Sequence, residues 1–241
     1  MKKIIDFHTH ILPGIDDGSA DMEMSLEMLR QQAQQGVTHV VATPHFYAHY
    51  DQPEAFFARR DAAEAALRQA MEAQPDLPGL TMGAEVYFFR GMSQAELLPR
   101  LTIGGGKCIL VEMPPAPWTE DVCREVSRIW ENRGIIPIIA HIDRYIRPWH
   151  SRKILRQLEN MPVFVQANAN FFLQRSTQKL AMRLLRQDKI QLLGSDCHDL
   201  KERKPNLAEA TQLIRQKMGE STLERIREYG CKCLGSSAHD E

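Results

Sequence analysis

Seven short runs rich in Ile, Val and Leu alternate with helix-like stretches along this 241-residue chain, and nearly every run is followed at once by a histidine or a carboxylate. The runs lie at 3–7, 39–43, 80–86, 108–112, 135–140, 163–167 and 191–194. Gly, Pro or polar residues bound each of them, which marks strands. Several are apolar on both faces, as parallel strands covered on both sides must be. Helices are expected between them, at 19–35, 54–72, 120–132, 151–159, 176–187, 206–217 and 221–229. In the first, Met22, Leu26, Leu29 and Ala33 recur at helical spacing, and Gly36 stands where a C-terminal stop belongs. Such repetition implies parallel strands joined by right-handed crossovers. Seven strands suit a closed α/β barrel better than an open sheet. The length fits one such domain over 1–241, with no linker and no internal repeat. Gly104-Gly105-Gly106 reads as a turn before a strand, since neither GK[ST] nor a helix follows it. The tail from Gly235 is expected to fray.

Strand ends of an α/β barrel converge on one face. His8 and His10, two residues apart on one strand, point to the same side and can chelate one ion. Asp196 and His198 repeat that spacing at the last strand, with Cys197 turned elsewhere; in a closed barrel the two pairs would be neighbours. His45, Glu85, Glu112 and His141 each follow a separate apolar run. A glutamate directly after Leu110-Val111 is costly unless it is paired or bound to metal. In the loop segment Asp16-Asp17-Gly18, one aspartate is expected to cap or orient and the other, Asp17, to reach a metal. His39, His49, His150 and His239 are not expected to be ligands. The donors are all imidazole and carboxylate, which favours Mn, Fe or Zn in a hydrolytic site over structural zinc. Nine candidates are too many for one ion and, with bridging carboxylates, suit two or three.

Formal net charge is −1, so no global field draws nucleic acid or an anionic membrane, and any phosphate must be held by local cations. Arg144, three residues after His141, and Arg203, five after His198, leave ligand-bearing strands and carry the planar group best shaped for a phosphate. No run reaches the roughly 20 apolar residues of a membrane span, and the N-terminus lacks a leader's apolar stretch. Five cysteines without a disulfide-like framework suit a reducing cytoplasm. Cys231 and Cys233, read as part of the C-terminal tail, are taken as ordinary thiols.

The segments DFHTHILPGIDDG, ATPHF, GAEVYF, LVEMP, AHIDRY, QANAN and GSDCH together resemble the polymerase and histidinol phosphatase (PHP) superfamily. More closely, they resemble the bacterial manganese-dependent tyrosine-protein phosphatases of capsule and exopolysaccharide loci. The likeness runs in order from Asp6 to about Arg203, and its specific part is the long first motif. It implies a distorted seven-stranded (β/α) barrel holding three manganese ions. One would bind His8, His10, Glu85 and Asp196. A second would share Glu85 with Glu112 and His141, and a third would take Asp17, His45 and His198. The resemblance also marks Arg144 and Arg203 as phosphate binders. It implies a phosphotyrosine protein as substrate, an autophosphorylating tyrosine kinase of polysaccharide biosynthesis above all.

The stretch from Gln166 to Phe172 departs from the small Gly/Ser-rich segment of that family and leaves the rim's shape open. The expected chemistry is in-line attack of metal-activated water on a phosphomonoester, with Asp143 and Asp199 as candidate acids and no thiol-based phosphate loop. Two other readings stand beside it. One is a small-molecule phosphatase such as one acting on histidinol phosphate; the other is a non-catalytic metal-binding or assembly protein.

Overall fold

The computed structural model describes residues 4–146 and 151–235. His150 and His239 lie outside them, as do Lys3 and the tail beyond Gly235. The strands are β1 (Ile4–Thr9), β2 (Val37–Ala42), β3 (His45–Phe46), β4 (Gly79–Met82), β5 (Glu85–Tyr87), β6 (Cys108–Glu112), β7 (Ile136–Ile139), β8 (Phe164–Asn168) and β9 (Leu192–Gly194). All pairings are parallel, in the orders β1-β2-β4 and β3-β5-β6-β7-β8-β9. The β2–β4 ladder runs on into the β3–β5 ladder where Gly83 N donates to Ala42 O and Glu85 N to Pro44 O. At the opposite edge Asp196 N donates to His8 O at 2.8 Å and His10 N to Cys197 O at 3.0 Å. The parallel sheet is therefore curled, with β1 brought against the exit of β9, and its strand ends share one rim.

The expected strand at 80–86 is divided, and the two-residue β3 was not expected. Pro44 supplies the reason for the break before β3: it has no N–H to give the ladder.

The helices are α1 (Met22–Gln34), α2 (Pro53–Met71), α3 (Glu120–Arg133), α4 (Ser151–Glu159), α5 (Ala169–Leu173), α6 (Gln178–Arg186), α7 (Leu207–Met218) and α8 (Glu220–Leu234). Asp21 caps α1 by accepting from Met24 N at 2.9 Å, and Thr119 caps α3 by accepting from Val122 N at 3.3 Å. Gly134, in the left-handed region at φ 64°, ends α3. The short α5 was not expected.

Helix α8 runs past Tyr229 and takes in Cys231 and Cys233, which the sequence pattern places in the tail. Gly230 permits the packing, because a Cβ there would meet the Phe7 ring at 2.7 Å. The larger core lies between sheet and helices and includes Trp118, Phe46, Phe56, Phe57 and Phe172. A smaller cluster holds Phe7, Val41, Leu110, Ile138 and Leu192. Its Leu110 stands two residues short of Glu112.

Candidate metal centre

All nine expected donors come to the rim formed by the strand ends. His8 is the last but one residue of β1 and His10 follows the strand; their Nε2 atoms are 3.1 Å apart. Both face Glu85, which opens β5: Glu85 Oε2 lies 3.1 Å from His8 Nε2 and 3.3 Å from His10 Nε2. His45 Nδ1 is 3.1 Å from the same oxygen, though without hydrogen-bond alignment. His141 Nε2 sits 2.6 Å from Glu85 Oε1 and 3.6 Å from Glu112 Oε1. Asp196 Oδ1 is 3.6 Å from both His8 Nε2 and His10 Nε2. Asp17, 65% exposed, reaches over the rim to within 3.4 Å of both His45 Nε2 and His198 Nε2.

Among the described residues three sets could each hold a cation, with donor atoms within 4.8 Å of one another: His10, Asp17, His45 and His198; His8, His10 and Glu85; and His45, Glu85 and Glu112. His10, His45 and Glu85 each belong to two sets, so the donors form one continuous cluster.

The rings are oriented from outside. Asp16 Oδ2 accepts from His10 Nδ1 at 2.8 Å, Gln166 Oε1 lies 3.4 Å from His8 Nδ1, and the carbonyl of Asp196 accepts from His198 Nδ1 at 3.0 Å. Each contact leaves Nε2 pointing inward. An outer acceptor that fixes the tautomer in this way is the usual companion of a metal-binding histidine. Two of the nine donors are held at positive φ, His141 at 31° and Asp196 at 55°. Such strain in non-glycine residues costs about 1–3 kcal/mol each and gathers at functional sites.

Burial alone would push Glu85 up. The charge of His8 and the close approach of His10, His141 and His45 overcome it and hold the carboxyl well below the usual range. His10 is pushed the other way: its burial opposes the proton, yet Asp16 and Glu85 raise it to about 10. Burial and the charge of His10 lower His198 to about 4. His198 Nε2 is buried without a hydrogen-bond partner. Protons on some rings thus balance the buried carboxylates. Divalent cations would take over that role by displacing them, which is how metal binding couples to proton release. The orphaned nitrogen, the inward-facing Nε2 atoms and the nitrogen-and-oxygen donor set all fit a hard or borderline divalent metal.

The arginines close the rim. Arg144 donates to Asp196 Oδ2 at 2.8 Å and to Glu112 Oε1 at 3.2 Å, while Arg203 donates to Asp196 Oδ1 at 2.8 Å. Both are close to 40% exposed, so they face solvent as well as the donor cluster.

Several roles are not evident from the sequence alone. Gln166 accepts from the backbone N of His141 at 2.6 Å and donates to Asn168, whose Nδ2 donates to Asp196 Oδ2 at 3.0 Å. A signal was present, because Gln166-Ala167-Asn168 repeats the two-residue spacing of the histidine pair at another strand end. Of the two candidate acids, Asp199 accepts from the backbone N of Lys201, Glu202 and Arg203 and anchors their loop. Asp143 is raised by burial and accepts from Asn168 N at 3.0 Å. Among the histidines set aside, His39 bonds Thr81 Oγ1 at 2.7 Å.

Cys197 and Arg203 do stand at the Cys-x5-Arg spacing of a thiol-based phosphate loop, contrary to expectation. Cys197, however, is fully buried in the core, 3.6 Å from Gln32 Nε2, and burial drives its thiol far above the usual range. It offers no thiolate nucleophile.

The sequence pattern described as capsular polysaccharide synthesis, CpsB/CapC, matches residues 4–233. The chain is similar to the tyrosine-protein phosphatase CpsB of Streptococcus pneumoniae, 29% identical over 92% of this chain and 94% of that protein. It is also similar to the tyrosine-protein phosphatase YwqE of Bacillus subtilis strain 168, 26% identical over 90% of this chain and 85% of that one. A crystal structure from work on YwqE and CpsB, described there as unique metal-dependent tyrosine phosphatases, superposes with a TM-score of 0.83. It is 24% identical and covers 96% of this chain and 94% of the other, which establishes a shared fold.

Proposed function

This chain belongs to the capsular polysaccharide synthesis family CpsB/CapC, and on that premise we propose that it is a metal-dependent protein-tyrosine phosphatase. The observation that carries the proposal is the convergence of inward-facing imidazoles and carboxylates on Glu85, with Arg144 and Arg203 at the lip. The family reading assigns His8, His10, Glu85 and Asp196 to one ion, Glu85, Glu112 and His141 to a second, and Asp17, His45 and His198 to a third. The distances support that sharing, with Glu85 at the middle. When bound, divalent ions, manganese in this proposal, supply a lowered water pKa and charge neutralisation at phosphorus.

The protein's own groups do the rest. Asp16, Gln166 and the Asp196 carbonyl fix the rings. Arg144 and Arg203 hold the phosphoryl oxygens, whose charge must be met in the transition state. Asp143 is the remaining acid candidate, although a phenolate leaving group, pKa about 10, needs less protonation than an alkoxide.

Counting β2 with β3, and β4 with β5, as single interrupted strands gives the seven-stranded barrel that we adopt, within one domain. The substrate class is a phosphotyrosine protein, and an autophosphorylating tyrosine kinase of polysaccharide biosynthesis is the proposed partner. Among the described residues no helix is long and apolar enough to cross a membrane. We place the protein in the cytoplasm.

The test is turnover of para-nitrophenyl phosphate, a phosphotyrosine peptide and histidinol phosphate, with Mn²⁺ and after chelation. Chelator-sensitive hydrolysis of the first two is expected, and a His8→Ala variant should lose both metal and turnover. Activity that survives chelation would refute the proposal.

A further inference from the structure

Beside the donor cluster lies a groove of about 690 Å³. Its floor is Phe46, and its walls include Tyr87, Phe88, Phe89 and Pro114. It begins where the donors end: Phe46 follows His45, Tyr87 comes two residues after Glu85, and Pro114 two after Glu112. Two residues along a strand advance about 7 Å, a distance comparable to the reach of a tyrosine side chain. Tyr47 joins the two regions, its ring centroid 5.2 Å from His45 and 5.8 Å from Tyr87. Tyr87, Phe88 and Phe89 are only half-buried, so apolar ring surface faces the groove. Arg90, at its edge, is exposed, and no carboxylate pairs with it among the described residues.

Resting on the phosphatase reading, we infer that this groove receives the peptide segment flanking the phosphotyrosine, seating a bulky apolar side chain against Phe88 and Phe89 and a carboxylate on Arg90. The chemistry on both sides agrees. An aromatic wall selects apolar bulk through desolvation. An unpaired guanidinium favours an acidic neighbour and disfavours a basic one. Because the groove runs on from the donor cluster, one extended peptide can occupy both when its phosphate lies at the arginine lip. Arg90 and Phe89 are thereby specificity residues and take no part in bond breaking.

The test uses the whole 241-residue chain, loaded with manganese, and two phosphotyrosine pentapeptides, one flanked on both sides by leucine and glutamate, the other by serine and lysine. The wild type should prefer the first. Arg90→Glu should lower kcat/KM for the acidic peptide by about 5-fold and raise it for the basic one. Phe89→Ala should raise KM for the leucine-containing peptide by about 10-fold. Both variants should turn over para-nitrophenyl phosphate as the wild type does, which also reports that they fold. Unchanged discrimination between the peptides, with para-nitrophenyl phosphate still hydrolysed, would overturn the groove assignment alone. Failure of the wild type to hydrolyse any of the three esters would remove the phosphatase reading and the groove with it.

Discussion

Replacing Asp16 with alanine separates the orientation of the rings proposed to bind metal from the supply of ligands. Asp16 Oδ2 accepts from His10 Nδ1 at 2.8 Å and from the backbone N of His45 at 3.1 Å, and Oδ1 accepts from Gly18 N at 3.0 Å. Alanine leaves all three donors without their acceptor. His10 is then free to turn or to move its proton to Nε2, the nitrogen that faces Glu85. Outer-shell contacts of this kind are worth roughly 10–100-fold in metal affinity, or about 1.4–2.7 kcal/mol. Asp17→Ala makes the contrast. That side chain is 65% exposed and touches His45 and His198 at 3.4 Å without orienting a ring. Its loss should remove one ion from the count and change the affinity of the others little.

Calorimetric titration of chelator-stripped protein with MnCl₂ reads both quantities. Asp16→Ala should weaken binding across the cluster; Asp17→Ala should lower the stoichiometry. Wild-type affinity in Asp16→Ala would refute the orienting role.

The metal-free protein offers a second readout of the same contact. Burial opposes the charge on Asp16, but His10 holds its carboxyl at about 2, below its ordinary 3.8. A lowered carboxylate stabilises the fold above its unfolded pKa and loses that contribution as pH falls through the folded one. The melting-temperature gap between wild type and Asp16→Ala should therefore be full at pH 6 and narrow between about pH 4 and pH 2. A gap that stays constant down to pH 2 would show that charge is not the cause.

Gly194→Ala should destabilise the protein by about 1–3 kcal/mol through overpacking, because the new Cβ would meet His8 Cβ at 2.6 Å and Gln166 Nε2 at 2.7 Å. Denaturant unfolding measures the loss, and a variant as stable as wild type would contradict the packing described. Thiol titration of the native protein should label Cys123 and Cys231 first and reach Cys108, Cys197 and Cys233 only on unfolding, since the latter three are buried. Rapid modification of all five would mean that the core opens readily.

The parallel α/β architecture and the strand ends that carry the clustered side chains were legible because both rest on short-range pattern. The run at 108–112 is observed as β6 and the stretch at 151–159 as α4, since apolar period and flanking breakers are local signals. The spacing of His8 with His10 and of Asp196 with His198 was readable in the same way.

Partnership was not readable. That Glu85 is the meeting point of four histidines depends on residues up to 77 positions apart in sequence. That Asp16 orients while Asp17 reaches over the rim depends on a loop fold that two adjacent, identical residues do not encode. The Cys-x5-Arg spacing at Cys197 shows the converse, a local pattern with no chemistry, because burial silences the thiol. The length of α8 likewise turned on Gly230 lying against Phe7. Sequence determined which side chains were available and which strands carried them. Curling of the sheet decided which donors meet, which carboxylate each arginine touches, and where an aromatic groove opens, because distances across a rim are set by the packing of elements remote from one another along the chain.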